Sequence, residues 1–182
     1  SVSGHKLGAP KGVGALYIRP GLSAVPLLFG GGQEGGLRAG TEPMPQIAGL
    51  AAASALRKAR LAEDAARMAA VKAETLALLR ARVPGLVVIS EGDAPHICAV
   101  SLPGYPGEML VRALSDEGVY VSSGSACHKG KPSHVYAALD MAKDVRMGAF
   151  RVSFSPENSA EDALALCRAL EKVRRERFGA MR

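Results

Sequence analysis

The sequence predicts an α/β chain in three parts, and three observations carry that reading. A glycine-rich N-terminal stretch holds one short β-branched and aromatic run. An alanine-rich stretch from about Pro45 to Arg82 has few helix breakers. The remainder, from about Pro84 onward, alternates short apolar runs with helical patterns.

In the first part, "VGALYI" at 13–18, bounded by Gly and Pro turn chemistry, reads as a strand. The second part is expected to form one long helix or two joined helices, reaching about 57 Å if unbroken. Glu63 and Arg67 stand four apart there in the favourable order for an exposed ion pair. In the third part "LVVIS", "HICAVSLP", "VYVSS" and "AFRVSFS" read as strands, and "PGEMLVRALSDEG" and "PSHVYAALDM" as helices, the first stopped by Gly118. A final helix is expected to begin at Ser159, with Asp162 completing a capping box. Its apolar positions Ala163, Leu166, Cys167, Leu170 and Val173 fall on one face.

At 182 residues, 48% hydrophobic and 22% charged, the composition is that of a globular chain and argues against disorder. No uninterrupted apolar run approaches the ~18 residues of a membrane span, and the N-terminus lacks a signal-peptide layout. A cytoplasmic protein with no membrane association is therefore expected. The net charge of +6 is dispersed along the helical stretches, and four Phe and four Tyr offer little for base stacking. Those features argue against a nucleic-acid partner and fit small anionic ligands such as a phosphate or a carboxylate. Cys98, Cys127 and Cys167 are odd in number and form no C-x-x-C pair, so neither a disulfide framework nor a metal site is indicated.

Four stretches carry possible chemistry. In "SGHKLGAPKG", Lys6 is either a solvated lysine beside a tight turn or, partly desolvated at a strand end near other positive charge, an amine able to condense with an aldehyde cofactor. Ser3 and His5 would project to one side of an extended chain, where both suit a phosphate. In "GGGQEGGLRAGTEP", Thr41 falls where a helix N-cap should be, with Arg38 nearby; the stretch is either a flexible connector or an anion-binding loop. In "VSSGSACHKGKPSH", Cys127 lies between small polar residues and the cations Lys129 and Lys131, a setting that favours an exposed thiolate. Cys98 and Cys167 read instead as small buried hydrophobes. In "AFRVSFS", alternation sets Phe150, Val152 and Phe154 on one face and Arg151 on the other, either facing solvent or aimed at a carboxylate.

Taken in this order, "SGHK" with the glycine-rich turn after it, "GGGQE.G.RAGT", "SSGSAC" and "R.SFS" resemble the C-terminal part of a cysteine desulfurase. That is a pyridoxal-phosphate enzyme of fold type I, aminotransferase class V. The resemblance runs from Ser1 to about Ser155, with Ala9 inserted in the first motif. It implies a remnant of the large cofactor-binding domain over 1–45, a connecting helix or helix pair over 46–83, and a small α+β domain with a mobile cysteine loop over 84–182. It also implies roles. Lys6 would bind pyridoxal 5'-phosphate covalently and later move protons on the substrate, with Ser3 and His5 on the cofactor phosphate. Thr41, with Arg38 close by, would reach the phosphate in the partner subunit of a homodimer. Arg151 would bind the carboxylate of L-cysteine, and Cys127 would take its sulfur as a persulfide, releasing alanine. The sulfur would pass to an acceptor or scaffold protein for iron-sulfur clusters or thiolated cofactors.

Two departures stand beside the resemblance. The stretch "HKGKPSH" after Cys127 is shorter than in that family, and the family's cofactor-ring contacts precede the lysine. The chain is therefore expected to be the C-terminal portion of a longer enzyme. Two other readings remain at this point: a related enzyme such as a selenocysteine lyase or a class V aminotransferase, and a non-catalytic interaction module. The expectation for these 182 residues by themselves is weak binding of pyridoxal phosphate and no turnover of L-cysteine. An absorbance scan after adding the cofactor, with an assay for alanine, checks it.

Overall fold

The alanine-rich stretch forms one uninterrupted helix, α1 (Met44–Arg82), as the high helix propensity of alanine and leucine favours. The carbonyl of Pro43 accepts from the N–H groups of Gln46 and Ile47, both at 3.0 Å, so Pro43 occupies the capping place. Thr41, expected there, lies two residues upstream and is exposed. Proline at the cap sacrifices no donor, and Pro45 follows in the first turn, where a missing N–H is harmless.

The computed structural model describes residues 1–123 and 134–177. It divides into two units, Ser1–Leu61 and Ala62–Arg182. In the first unit, β1 (Val2–Ser3) pairs antiparallel with β2 (Gly14–Ala15), Val2 opposite Ala15. The strand expected over 13–18 is reduced to those two residues, because pairing needs a partner and β1 is equally short.

The second unit is built on an antiparallel sheet in the order β3 (Val87–Ser90), β4 (Ile97–Ser101), β5 (Ala149–Ser153). Cys98 lies opposite Val152 and Val100 opposite Phe150, and all four side chains are buried. The sheet packs against Leu76, Leu79 and Val83 of α1, Leu110 and Leu114 of α2 (Gly107–Asp116), and Leu166 and Leu170 of α5 (Ala160–Arg177). Each such leucine contributes about 1.5–3 kcal/mol by leaving water. The apolar stripe of α5 is buried along its whole length, from Ala163 through Val173.

Two details differ from the sequence reading. The segment "VYVSS" gives a single bridge rather than a strand: Ser122 N donates to Arg151 O at 3.1 Å and Arg151 N to Ser122 O at 2.6 Å. Upstream, Val119 N is committed to the carbonyl of Leu114 at 2.9 Å, closing α2 through Gly118 at φ 77°. A short helix, α4 (Lys143–Met147), follows α3 (His134–Ala137) where none was expected. Lys72 is also buried, its ammonium donating to the carbonyls of Gly92 at 3.0 Å, Ala94 at 2.9 Å and Glu91.

At the start of α5, Asp162 Oδ2 accepts from the Ser159 N–H at 2.9 Å and from the Asn158 side chain at 3.2 Å. These hydrogen bonds hold its carboxyl below the ordinary range, Ser159 contributing most. A carboxylate whose folded-state pKa is depressed adds stability above its unfolded value near ~3.9, and loses it as pH falls through the folded value. Asp162→Ala is therefore expected to lower stability modestly at neutral pH, because water screens an exposed carboxylate. The difference from the unsubstituted chain should shrink as the solution is acidified, read by urea unfolding at several pH values.

Candidate active site

Lys6 sits on a turn rather than on a strand end. The chain passes from β1 directly into a 3-10 helix over Gly4–Leu7 that carries His5 and Lys6 and closes at Gly8, φ 92°. Gly4 is what lets it turn there. Its N–H donates to Val13 O at 2.9 Å, and a Cβ at this position would lie 2.8 Å from that same oxygen. Any larger residue would push β2 away from the turn. Arg57 of α1 donates to Leu7 O at 3.3 Å and so fixes the far end.

Ser3, His5 and Lys6 are all exposed. The extended backbone that would place Ser3 and His5 on one side ends at Ser3, so strand alternation does not relate them. Arg38 and Thr41 share a second loop, ahead of α1, and both are exposed. There Gln33 accepts from the Gly40 N–H at 3.3 Å, and the Arg38 guanidinium is turned onto the carbonyl of Ala39.

Arg151 belongs to the second unit. On β5 it lies opposite Ala99, half-buried, while Phe150 and Val152 on either side are buried in the core. Its Nε is buried and has no acceptor among the described residues. A buried guanidinium nitrogen left without a partner costs about 1–3 kcal/mol or more, which packing alone gives no reason to bear. Tyr136, which the sequence reading placed only as part of a short helix, is buried close enough for the Arg151 charge to act on its phenol. No local spacing signals that pair, because 15 residues of chain separate its members.

Cys127 lies outside the described residues. The other two cysteines are free and buried. Burial pushes the Cys98 thiol up to about 11, against the opposing effect of Lys72. Burial also raises Cys167, which donates to Leu78 O at 3.7 Å. A cleft of about 280 Å³, lined by residues that include Val71, Tyr120, Phe154 and Asp162, holds none of the candidate residues. Among the described residues no group of His, Cys, Asp and Glu is placed to hold a metal ion, and no helix is long and apolar enough to cross a membrane.

This architecture is shared with solved structures. One described as a NifS-like protein superposes on 94% of the chain with a TM-score of 0.83 at 34% identity, the match covering 44% of that protein. The family model for aminotransferase class V matches residues 1–166, and the chain belongs to that family. Among curated relatives, a protein named cysteine desulfurase from Gluconacetobacter diazotrophicus is 40% identical over 89% of this chain and 42% of its own length. One named cysteine desulfurase IscS from Clostridium botulinum is 33% identical over 97% of this chain and 46% of its own length. The chain thus spans less than half the length of these relatives.

The two buried thiols define a chemical test. Below a pKa of about 11, Cys98 is neutral in the folded chain, and a neutral buried thiol is a poor nucleophile. At about pH 8, iodoacetamide is expected to leave Cys98 and Cys167 unmodified until denaturant is added. Peptide mass mapping with and without urea reads the result.

Proposed function

We propose that the chain functions as part of a cysteine desulfurase, a pyridoxal-phosphate-dependent sulfurtransferase that converts L-cysteine to L-alanine and leaves the sulfur on Cys127. Arg151 is the observation that carries this reading: a guanidinium held at a fixed register position, with a buried Nε that no described residue satisfies, in a chain whose relatives are named cysteine desulfurase. Its planar fork suits the carboxylate of an amino acid.

The donor set on the Gly4–Leu7 turn suits the cofactor. Ser3 and His5 offer a hydroxyl and an imidazole for a phosphate ester, and Lys6 offers an exposed amine for an aldehyde. When bound, pyridoxal phosphate supplies an electron sink that weakens the bond between Cβ and sulfur in the substrate. Lys6 would attach the cofactor and then carry protons to and from the substrate carbon. Arg151 would bind and orient the substrate through its carboxylate. The Cys127 thiolate would form a bond to the substrate sulfur as the Cβ–S bond breaks. The products are a persulfide on the protein and, after protonation, alanine, with no external oxidant or reductant required. In a homodimer Thr41 and Arg38 would reach the partner subunit's cofactor phosphate. An acceptor or scaffold protein in the cytoplasm, serving iron-sulfur clusters or thiolated cofactors, would collect the sulfur.

The test uses protein expressed from the whole gene, supplied with pyridoxal phosphate and L-cysteine. Alanine should form and a persulfide should be found on the Cys127 peptide; Lys6→Ala should abolish both. Arg151→Lys should raise KM for L-cysteine roughly ten- to a hundredfold, the loss of about 1.5–3 kcal/mol of charge-assisted hydrogen bonding. Undiminished turnover in Cys127→Ser would overturn the sulfur-transfer role and favour aminotransfer.

A further inference from the structure

Lys6 raises a question its proposed role does not answer: what holds a four-residue turn steady enough to set the place of an exposed amine? One 3-10 turn closes too few hydrogen bonds to persist by itself. Its near end is fixed by the pairing of β1 with β2 and by the hydrogen bond from Gly4 N to Val13 O. Within it the Gly8 N–H donates to His5 O at 3.4 Å and the Ala9 N–H to Gly4 O at 3.1 Å. The far end, over 7–10, meets α1 at two points. At the first, Arg57 Nε donates to Leu7 O at 3.3 Å, and a Cβ on Gly8 would lie 3.8 Å from Nη2 of the same guanidinium. At the second, about 12 Å back along the helix axis, a Cβ on Gly49 would lie 2.7 Å from Cδ of Pro10.

We infer that Arg57 is a positioning residue for Lys6, its Nε–H tethering the turn to α1. This rests on the reading of Lys6 as the residue that attaches pyridoxal phosphate. Gln46, Leu50, Ala53 and Arg57 are half-buried at helical spacing, while 51, 52 and 54–56 are exposed, so one face of this part of α1 is covered. Gly49, also half-buried, adjoins that stripe. Glycine is a poor helix former, and the rigid ring of Pro10 cannot give way to a side chain at 49. The close approach is what glycine serves there, and it brings α1 within reach of the turn. The acceptor for Arg57 is the main-chain carbonyl of the residue that follows Lys6, so the tether acts on the backbone of the turn rather than on the amine. An amine on a long side chain meets an aldehyde held elsewhere by its phosphate only if the side chain starts from a fixed point, and a displacement of about 1 Å can cost about a hundredfold. Loss of the Arg57 donor should therefore loosen the turn while Ser3, His5 and Lys6 all remain.

The test uses protein expressed from the whole gene and two variants of similar side-chain length. Arg57→Met keeps the stem and removes every donor. Arg57→Gln removes the charge but sets an amide N–H the same number of bonds from the main chain as the arginine Nε. Amide hydrogen exchange of the peptide spanning Gly4–Ala9, measured before cofactor is added, reads the tether. Arg57→Met should speed it about fivefold, the effect of one hydrogen bond partly shared with water, and Arg57→Gln should restore the slow rate. Reductive attachment of pyridoxal phosphate with cyanoborohydride, quantified at Lys6 against the exposed Lys11 and Lys58, reads the positioning. Attachment at Lys6 should fall about fivefold in Arg57→Met and return in Arg57→Gln. Attachment of acetaldehyde, which has no phosphate to fix it, should be equal in all three proteins. Exchange or pyridoxal phosphate attachment unchanged in Arg57→Met, or exchange as fast in Arg57→Gln as in Arg57→Met, would overturn the role of Arg57. If exchange responds as expected but pyridoxal phosphate attaches to Lys6 no better than to Lys11 and Lys58 in the unsubstituted protein, the tether stands and the cofactor role of Lys6 fails.

Discussion

The register between β4 and β5 governs the second unit. Five consecutive pairs, from Ile97 opposite Ser153 to Ser101 opposite Ala149, fix which side chains face the helices. Because strand side chains alternate with a period of two, a slip of one residue would turn Phe150 and Val152 out and drive Arg151 into the apolar layer. Two buried side chains on β5 and their partners Cys98 and Val100 all oppose that slip. Hydrophobic burial in the core and the placement of a cation on the opposite side are consequences of the same pairing.

That dependence explains why so much of this unit was legible in the sequence. The alternation in "AFRVSFS" and the helical stripe from Ala163 to Val173 are local patterns, and each describes one element and its buried face without reference to the rest. The cap at Ser159 and Asp162 is local in the same sense, the reaching carboxylate being three residues away. The placement of Arg151 on the strand face away from the core follows directly from its two buried neighbours.

Other features were illegible for equally physical reasons. The run "VGALYI" has strand propensity, yet propensity supplies no partner, and only Gly14 and Ala15 find one. The Lys6 turn depends on a close approach between Gly4 and Val13, nine residues apart, which no pattern of side chains announces. Thr41 has the right chemistry for a cap, but the prolines at 43 and 45 move the helix start past it. Tyr136, 15 residues from Arg151 in the chain, comes within electrostatic range of it only through the fold. The cysteines divide along the same line: burial of Cys98 and Cys167 follows from apolar surroundings already visible in the sequence.

Lys72 shows how a long-range contact narrows what mutation can do. Its single ammonium is the meeting point of three backbone carbonyls over residues 91–94, and the side chain that carries it is buried. A tetrahedral cation with three rotatable donors satisfies that arrangement. A planar guanidinium, broader and with its donors fixed in one plane, does not. Replacement of lysine by arginine, ordinarily a neutral drift on a helix surface, is closed off at this position. Sequence divergence there should run through the turn and the lysine together or not at all.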